Sequence, residues 1–285
     1  MPKQYSLSIG VNKVNPADYD GEWDGYLPCC EKDAEDIDSL AKSLGYKKRT
    51  LLKTKKATRN NVLKAFKDAA KDLKKGDFFV IYYSGHGGQV SDVNGDEADA
   101  YDETWCLYNG QLIDDEIYYA FSSFKEGVRI FMLSDSCHSG TVAKVAMLNA
   151  DESIGPLKKK MYKFMPDEVT GKAYLRKRTL YDKIQSNDLM KISNPKNKDY
   201  AFSTRASVKL ISGCQDNQYS QAGPINSVFT AMMMKVWKNG SFKGSYKLFH
   251  KKILDLMPPD QTPRLYNVGA RDTDFGLQKP FANSK

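Results

Sequence analysis

One histidine and one cysteine in this chain sit where chemistry is easiest to build. His86 lies in Tyr82-Tyr83-Ser84-Gly85-His86-Gly87-Gly88, and Cys137 in Ser134-Asp135-Ser136-Cys137-His138-Ser139-Gly140. Each stretch follows an apolar, β-favouring run, Phe78–Ile81 and Val128–Leu133. That is the pattern of a buried parallel strand ending at the functional edge of an α/β sheet. A thiolate attacks a carbonyl, and a nearby imidazole can hold the thiolate form and then protonate a leaving amine. Small residues let backbone approach a substrate closely. The N–H groups of Gly87 and Cys137 are then candidates for an oxyanion hole. His138 is a decoy, because neighbouring side chains on an extended segment point to opposite sides. The alternative for the pair is a buried structural cysteine and an unrelated loop histidine. Two such residues at matched strand ends favour catalysis.

The charges nearby suggest what would be bound. Asp135 lies two residues before Cys137, so on a strand it shares that residue's face. Asp33 follows the first strand and falls at the same sheet edge if the strands are parallel. Two carboxylates in a cleft select a basic side chain, Arg through a planar fork or Lys as a point charge. The competing readings are a turn-capping role for Asp135 and a helix-dipole role for Asp33. Asp216 is open between the pocket and a turn.

Elements that would position these groups can be read along the chain. Tyr5–Val11 reads as the first strand. Glu31–Leu44 carries a helical apolar stripe at Ala34, Ile37, Leu40, Ala41 and Leu44. Thr50–Leu52 reads as a short strand. Thr58 can cap a helix reaching Leu73, and Asp77–Ser84 is the histidine strand. Asp114–Phe124 is helical, and Val128–Asp135 is the cysteine strand. After an insert come a strand at Val208–Cys214, helices at Ser227–Lys238 and Ser245–Met257, and a strand at Arg264–Val268. This order predicts an α/β fold with a mostly parallel sheet, right-handed crossovers and helices on both faces.

Composition sets outer bounds. The chain has 285 residues and is 41% hydrophobic, enough for one large domain or one domain with an insert. No apolar run approaches the ~18–20 residues that span a bilayer, and no signal-like segment opens the chain, so a cytoplasmic location is the default. The five cysteines, Cys29, Cys30, Cys106, Cys137 and Cys214, form neither a disulfide framework nor a zinc pattern. The net charge is +8, and residues 141–200 hold 13 Lys/Arg against 7 Asp/Glu. Without interleaved aromatics or a reader motif, that segment reads as a solvated linker and argues against nucleic acid. Its basic clusters, ending at Lys160, at Arg176 and Arg178, and at Lys183, are candidate sites of self-cleavage. Asp92, Asp96, Glu97, Asp99, Asp102 and Glu103 form an acidic loop, followed by Asp114-Asp115-Glu116. It is either a solvated loop or a place for Ca²⁺, though its spacing is not that of an EF-hand.

Four motifs in order carry a specific resemblance. Tyr83–Gly87 (YSGHG), Asp135–Gly140 (DSCHSG), Leu27–Ala34 and Ile211–Gln218 resemble the metacaspases and orthocaspases of the caspase-like C14 peptidase clan. Cys29 and Lys32 depart from the Gly and Asn usual in the Leu27–Ala34 segment. The resemblance runs from about Tyr5 to Phe281 and omits the insert. It implies a caspase-like, mostly parallel six-stranded sheet in a three-layer sandwich. Residues 1–140 would correspond to a large subunit, 141–206 to a cleavable insert and 207–285 to a small subunit. It further implies a monomeric cysteine endopeptidase zymogen, with Cys137 as nucleophile and His86 as acid/base. Its substrates would be proteins with exposed Arg or Lys, held by Cys30, Asp33, Ser84 and Asp135. No cofactor is required for that chemistry. Asp102, Asp114 and Asp115 match three carboxylates of the family's calcium site, and a fourth position falls on Lys144, whose cation would oppose the metal. Two rival readings are a non-proteolytic module that keeps this fold and a nucleic-acid binder acting through the basic insert.

Overall fold

Phe78–Ile81 and Ile130–Leu133 offer water no polar face, so they must lie inside a sheet covered on both sides. In the computed structural model, which describes residues 2–91, 101–137, 161–187, 204–215 and 218–282, every residue of these runs is buried. The elements in chain order are β1 (Gln4–Gly10), α1 (Cys30–Ser43), β2 (Lys48–Lys53), α2 (Arg59–Asp72), β3 (Phe78–Ser84), β4 (Gly87–Ser91), β5 (Tyr101–Leu107), β6 (Gly110–Ile113), α3 (Asp114–Ser122) and β7 (Arg129–Asp135). They continue with β8 (Met161–Tyr162), α4 (Asp167–Arg176), α5 (Arg178–Gln185), β9 (Ser207–Ser212), β10 (Gln221–Ala222), α6 (Val228–Trp237), α7 (Tyr246–Leu254), β11 (Arg264–Gly269) and α8 (Thr273–Leu277).

Six strands form the central sheet in the order β11-β9-β7-β3-β1-β2. All neighbours are parallel except β11, which runs antiparallel to β9. The two-residue period of a strand assigns each side chain to a layer. Phe79, Ile81, Tyr83, Ile130 and Met132 join α2 and α3 in one core. Phe78, Val80, Tyr82, Phe131 and Leu133 join α1, α6 and α7 in the other. The same parity carries on to the strand ends, so Ser84 and Asp135 fall on the α1 side. Their register is direct, Ser84 opposite Asp135. Gly10 lets α1 start hard against the end of β1, because a Cβ there would overlap the Cys30 carbonyl.

Two features depart from the sequence reading. A second, three-stranded antiparallel sheet, β4-β5-β6, begins immediately after His86. The glycines of β4 and the acidic residues around β5 hid it, since neither type favours strands. The second departure is the insert. Its described stretch, residues 161–187, is folded onto the body rather than solvated. Met165, Val169 and Ala173 enter the main core, while Tyr181 and Ile184 pack on Val90 and Ile113. Helices α4 and α5 each hide an apolar edge behind an exposed basic one, and net charge alone reports only the exposed edge.

Candidate functional site

Asp33 and Asp135 converge from different layers of the fold. Asp33 comes from α1 and Asp135 from the end of β7, and both are fully buried. A buried carboxylate must have its oxygens satisfied. Asp33 accepts from Ser84 Oγ at 2.8 Å, Asn226 Nδ2 at 3.0 Å and the Ser227 N–H at 3.0 Å, as well as from Ser227 Oγ. Asp135 accepts from Thr230 Oγ1 at 2.8 Å and from Ser220 Oγ. Gln261 steadies the Ser220 loop through the Gly213 carbonyl at 2.8 Å and Ser220 Oγ at 3.0 Å.

The cation between these carboxylates belongs to the chain itself. Lys163, from the insert, is completely buried. Its Nζ lies 3.1 Å from Asp135 Oδ2 and 3.6 Å from Asp33 Oδ2. It donates to Ser84 Oγ at 2.8 Å and to the Asp135 carbonyl at 3.1 Å. Ser84 thus accepts from the lysine while donating to Asp33. Burial by itself would push the ammonium's pKa down, but Asp135, Cys30 and Asp33 outweigh it and the net shift is upward. For Asp33, desolvation dominates and its pKa is raised, with Lys163 opposing. Cys30 lines the same pocket as a thiol whose pKa burial drives up.

The backbone of Lys163 is held as firmly as its side chain. Its carbonyl accepts from the Gly87 and Cys137 N–H groups, both at 3.0 Å. Two N–H donors thus converge on one carbonyl oxygen, the geometry that an oxyanion hole requires. The Lys163 N–H donates to the Ser220 carbonyl at 3.0 Å. Tyr162 and Met161 pair antiparallel with Gln221 and Ala222. On the other side the Met165 N–H donates to the Gly87 carbonyl at 2.7 Å. Residues 161–165 therefore lie through the cleft as an added strand, clamped before and after Lys163.

His86 and Cys137 each stand two residues beyond the matched Ser84–Asp135 pair. Their segments meet at the Lys163 carbonyl. Tyr83 Oη donates to the His86 carbonyl at 2.7 Å and fixes the corner between the two sheets. His86 Nε2 is 2.9 Å from the Gly25 carbonyl. A carbonyl only accepts, so Nε2 carries the proton and Nδ1 is the basic nitrogen. Nδ1 makes no hydrogen bond among the described residues. The Trp23 ring covers the imidazole with centroids 5.0 Å apart. Burial pushes the pKa of His86 down to about 4, opposed by the Gly25 carbonyl and the Phe164 backbone beside the ring. The sulfur of Cys137 accepts from the Ser220 N–H and lies 3.5 Å from Cys214 Sγ. All five cysteines are free thiols.

The structure thus brings together His86, Gly87, Cys137, Cys30, Asp33, Ser84 and Asp135. Of the basic residues singled out in the insert, Arg176, Arg178 and Lys183 lie in helices rather than in the strand that occupies the cleft. Arg176 and Arg178 sit in the helices α4 and α5, Arg176 donating to the Asp20 carbonyl at 3.4 Å and Arg178 pairing with Asp182 at 3.3 Å. Lys183 is on α5. An extended substrate strand cannot be drawn from a folded helix. Lys160, Lys144, His138 and Asp216 lie outside the described residues. Sequence reasoning missed Lys163, Ser220, Asn226, Ser227, Thr230 and the Gly25 carbonyl. Lys163 left one signal, a lone cation inside the strand-like run Met161-Tyr162-Lys163-Phe164-Met165.

A second acidic cluster lies at the start of α3. Asp102, Asp114 and Asp115 bring carboxylate oxygens within 4.8 Å of one another, a donor set suited to a hard cation. Gln185 of α5 donates its amide to Asp102 Oδ2 and, at 2.7 Å, to the Ser91 carbonyl. Arg59 and Glu116, paired at 2.6 Å and buried, anchor α3 to α2.

This architecture is that of the caspase-like α/β class. Caspase-1 from Spodoptera frugiperda matches it with a TM-score of 0.51 over 93% of this chain and 86% of that one, at 9% identity. The crystal structure of protein GSU0716 from Geobacter sulfurreducens matches all of both chains with a TM-score of 0.87 and 47% identity. The model of the metacaspase peptidase C14 domain matches residues 5–146. Metacaspase-1 of Botryotinia fuckeliana is 31% identical over 166 residues, 53% of this chain and 38% of that one. Metacaspase-1 of Schizosaccharomyces pombe is 35% identical over 152 residues, 48% and 34% of the two chains. The matches span little more than a third of those curated relatives. Residues 5–146 are therefore similar to the peptidase C14 domain of the metacaspases.

Proposed function

We propose that this chain is a cysteine endopeptidase that cleaves proteins after Lys or Arg, and that its own Lys163–Phe164 bond is its first substrate. One observation carries the reading: the ammonium of Lys163 sits between two carboxylates while its carbonyl rests on two N–H donors. In the reaction, His86 Nδ1 takes the proton of the Cys137 thiol, and the resulting thiolate forms a bond to the Lys163 carbonyl carbon. The carbonyl π electrons move to the oxygen, held by Gly87 and Cys137 N–H. Collapse expels the Phe164 amine, which takes its proton from His86 Nδ1. Water, deprotonated by the same nitrogen, then hydrolyses the thioester. Nothing in this chemistry needs a second subunit, which supports a monomer. No helix among the described residues is long and apolar enough to cross a membrane.

Until it is cut, Lys163 competes with any outside substrate, which is the property of a zymogen. Calcium is proposed as a regulator held by Asp102, Asp114 and Asp115; when bound, it would supply positive charge where α3 and β5 meet.

The test is the N-terminal sequence of fragments from purified wild type, Cys137→Ala and Lys163→Gln, each incubated with Ca²⁺ or chelator. A fragment starting at Phe164 is expected from wild type alone. Its formation by Cys137→Ala would sink the reading, as would wild type staying intact and also failing to turn over Arg and Lys peptides.

A further inference from the structure

We propose that Tyr219 makes this site select an aromatic residue on each side of the basic one, so that its preferred substrates read aromatic–Lys/Arg–aromatic with cleavage after the cation. The inference rests on the peptidase reading above and adds to it the class of sequence that is cut.

Side chains alternate along an extended segment, so the residues before and after Lys163 point away from the acidic pocket and share one face. The Tyr219 ring lies against that face. Tyr219 lies with its centroid 4.8 Å from the Tyr162 ring and 5.4 Å from the Phe164 ring, at interplanar angles of 48° and 43°. Both distances fall in the range where aromatic pairs attract beyond the area they bury. Phe164, Tyr219, Cys137 and Cys214 form one buried apolar cluster, with Tyr162 packed against it. One ring therefore reads both neighbours of the scissile bond, next to the sulfur that would cleave it.

The backbone supports the assignment. Tyr219 immediately precedes Ser220, whose carbonyl accepts from Lys163 and whose N–H donates to Cys137 Sγ. Gln218 Oε1 on the other side accepts from the Thr262 N–H. The ring is thus carried by the segment that holds the substrate strand, and it cannot move away without loosening that strand. Its hydroxyl is buried and makes no hydrogen bond among the described residues. The ring face is then the reading group, and phenylalanine would serve as well.

The experiment uses four quenched peptides that differ only around lysine: Tyr-Lys-Phe, Ser-Lys-Phe, Tyr-Lys-Ser and Ser-Lys-Ser. Each is given to the full-length protein after self-processing, and kcat/KM is measured. Loss of each aromatic is expected to lower kcat/KM roughly 10-fold. Tyr219→Ala should flatten that ranking, and Tyr219→Phe should keep it. The wild-type ranking stands alone as a test should Tyr219→Ala fail to fold. Equal turnover of all four peptides by wild type would overturn the role of Tyr219 and leave cleavage after lysine intact. A ranking preserved in folded Tyr219→Ala would also overturn it. Turnover of none of them, with no cut at Lys163, would remove both readings together.

Discussion

Two acidic clusters in this molecule have similar parts and different neighbours. In one, Asp33 and Asp135 meet the ammonium of Lys163. In the other, Asp102, Asp114 and Asp115 stand together, and an amide from Gln185 reaches the first of them. An ammonium supplies a full charge, whereas an amide satisfies an oxygen without neutralising it. The first cluster is therefore complete with the chain's own cation, and its charge balance changes only when the chain moves. The second brings three carboxylates within 4.8 Å of one another, a donor set of the kind that hard cations take. Both partners, Lys163 and Gln185, come from the same insert. The insert thus touches both clusters, and its two ends tie the cleft to the candidate calcium site.

The largest effect expected from breaking this comparison is at Asp135. Removing one member of a buried, hydrogen-bonded charge pair costs several kcal/mol, mostly because its partner is left uncompensated. Asp135→Asn should lower kcat/KM on Lys and Arg peptides on the order of 10²–10³-fold. Asp33→Asn should cost less, since its oxygen is the more distant of the two from Nζ, 3.6 Å against 3.1 Å. Steady-state kinetics on matched Lys and Arg peptides decide this. Equal losses at the two positions would mean the pocket acts as one charge rather than as a near and a far contact.

The next effect sharpens the contrast at the second cluster. Calcium titrated calorimetrically into the intact Cys137→Ala protein should give one binding event that Asp114→Ala and Asp115→Ala remove. Gln185→Ala should tighten it roughly 3- to 10-fold, because the ion no longer competes with the amide for Asp102. Unchanged heats in the aspartate variants would place calcium elsewhere, and absence of heat in the parent would end the calcium proposal.

How far the sequence carries the reader differs between the same two regions. His86, Cys137 and Asp135 were legible because apolar β-runs end beside them and strand parity fixes their faces. The position of Asp33 followed from parallel order, whereas Ser84 and Cys30 entered the pocket only through the resemblance. Lys163 was not legible among many cations, since only its apolar neighbours distinguish it. Ser220, Ser227, Thr230 and Gln261 come from the far half of the chain, and pairing across such separations leaves no local pattern. In the acidic cluster, carboxylate density was visible but the contact with Gln185 was not, because the insert's charge concealed two helices. Charge content reports what faces water and says little about what an amphipathic segment covers.

The smallest effect concerns protons, and its sign follows from the buried imidazole. His86 is held neutral, with its pKa pushed from 6.5 to about 4 by burial. Between those values an unfolded chain binds more protons than the folded one, so stability rises with pH across that window. The contribution of His86 is therefore fully present above pH 6.5 and is lost as pH falls toward about 4. Asp33 works the other way just above its ordinary range: its raised pKa means that the folded form holds the proton longer. The two slopes oppose each other wherever both groups titrate. Thermal melts of uncut Cys137→Ala between pH 7.5 and 4.5 should show Tm falling with acidification, and His86→Gln in the same background should flatten the fall above pH 5. A fall of the same size in both proteins would assign the acid sensitivity to groups other than the imidazole. Repeating the melts after Lys163→Gln separates the pocket from the ring, because that substitution removes the cation facing Asp33 while leaving the Gly25 contact of His86 in place.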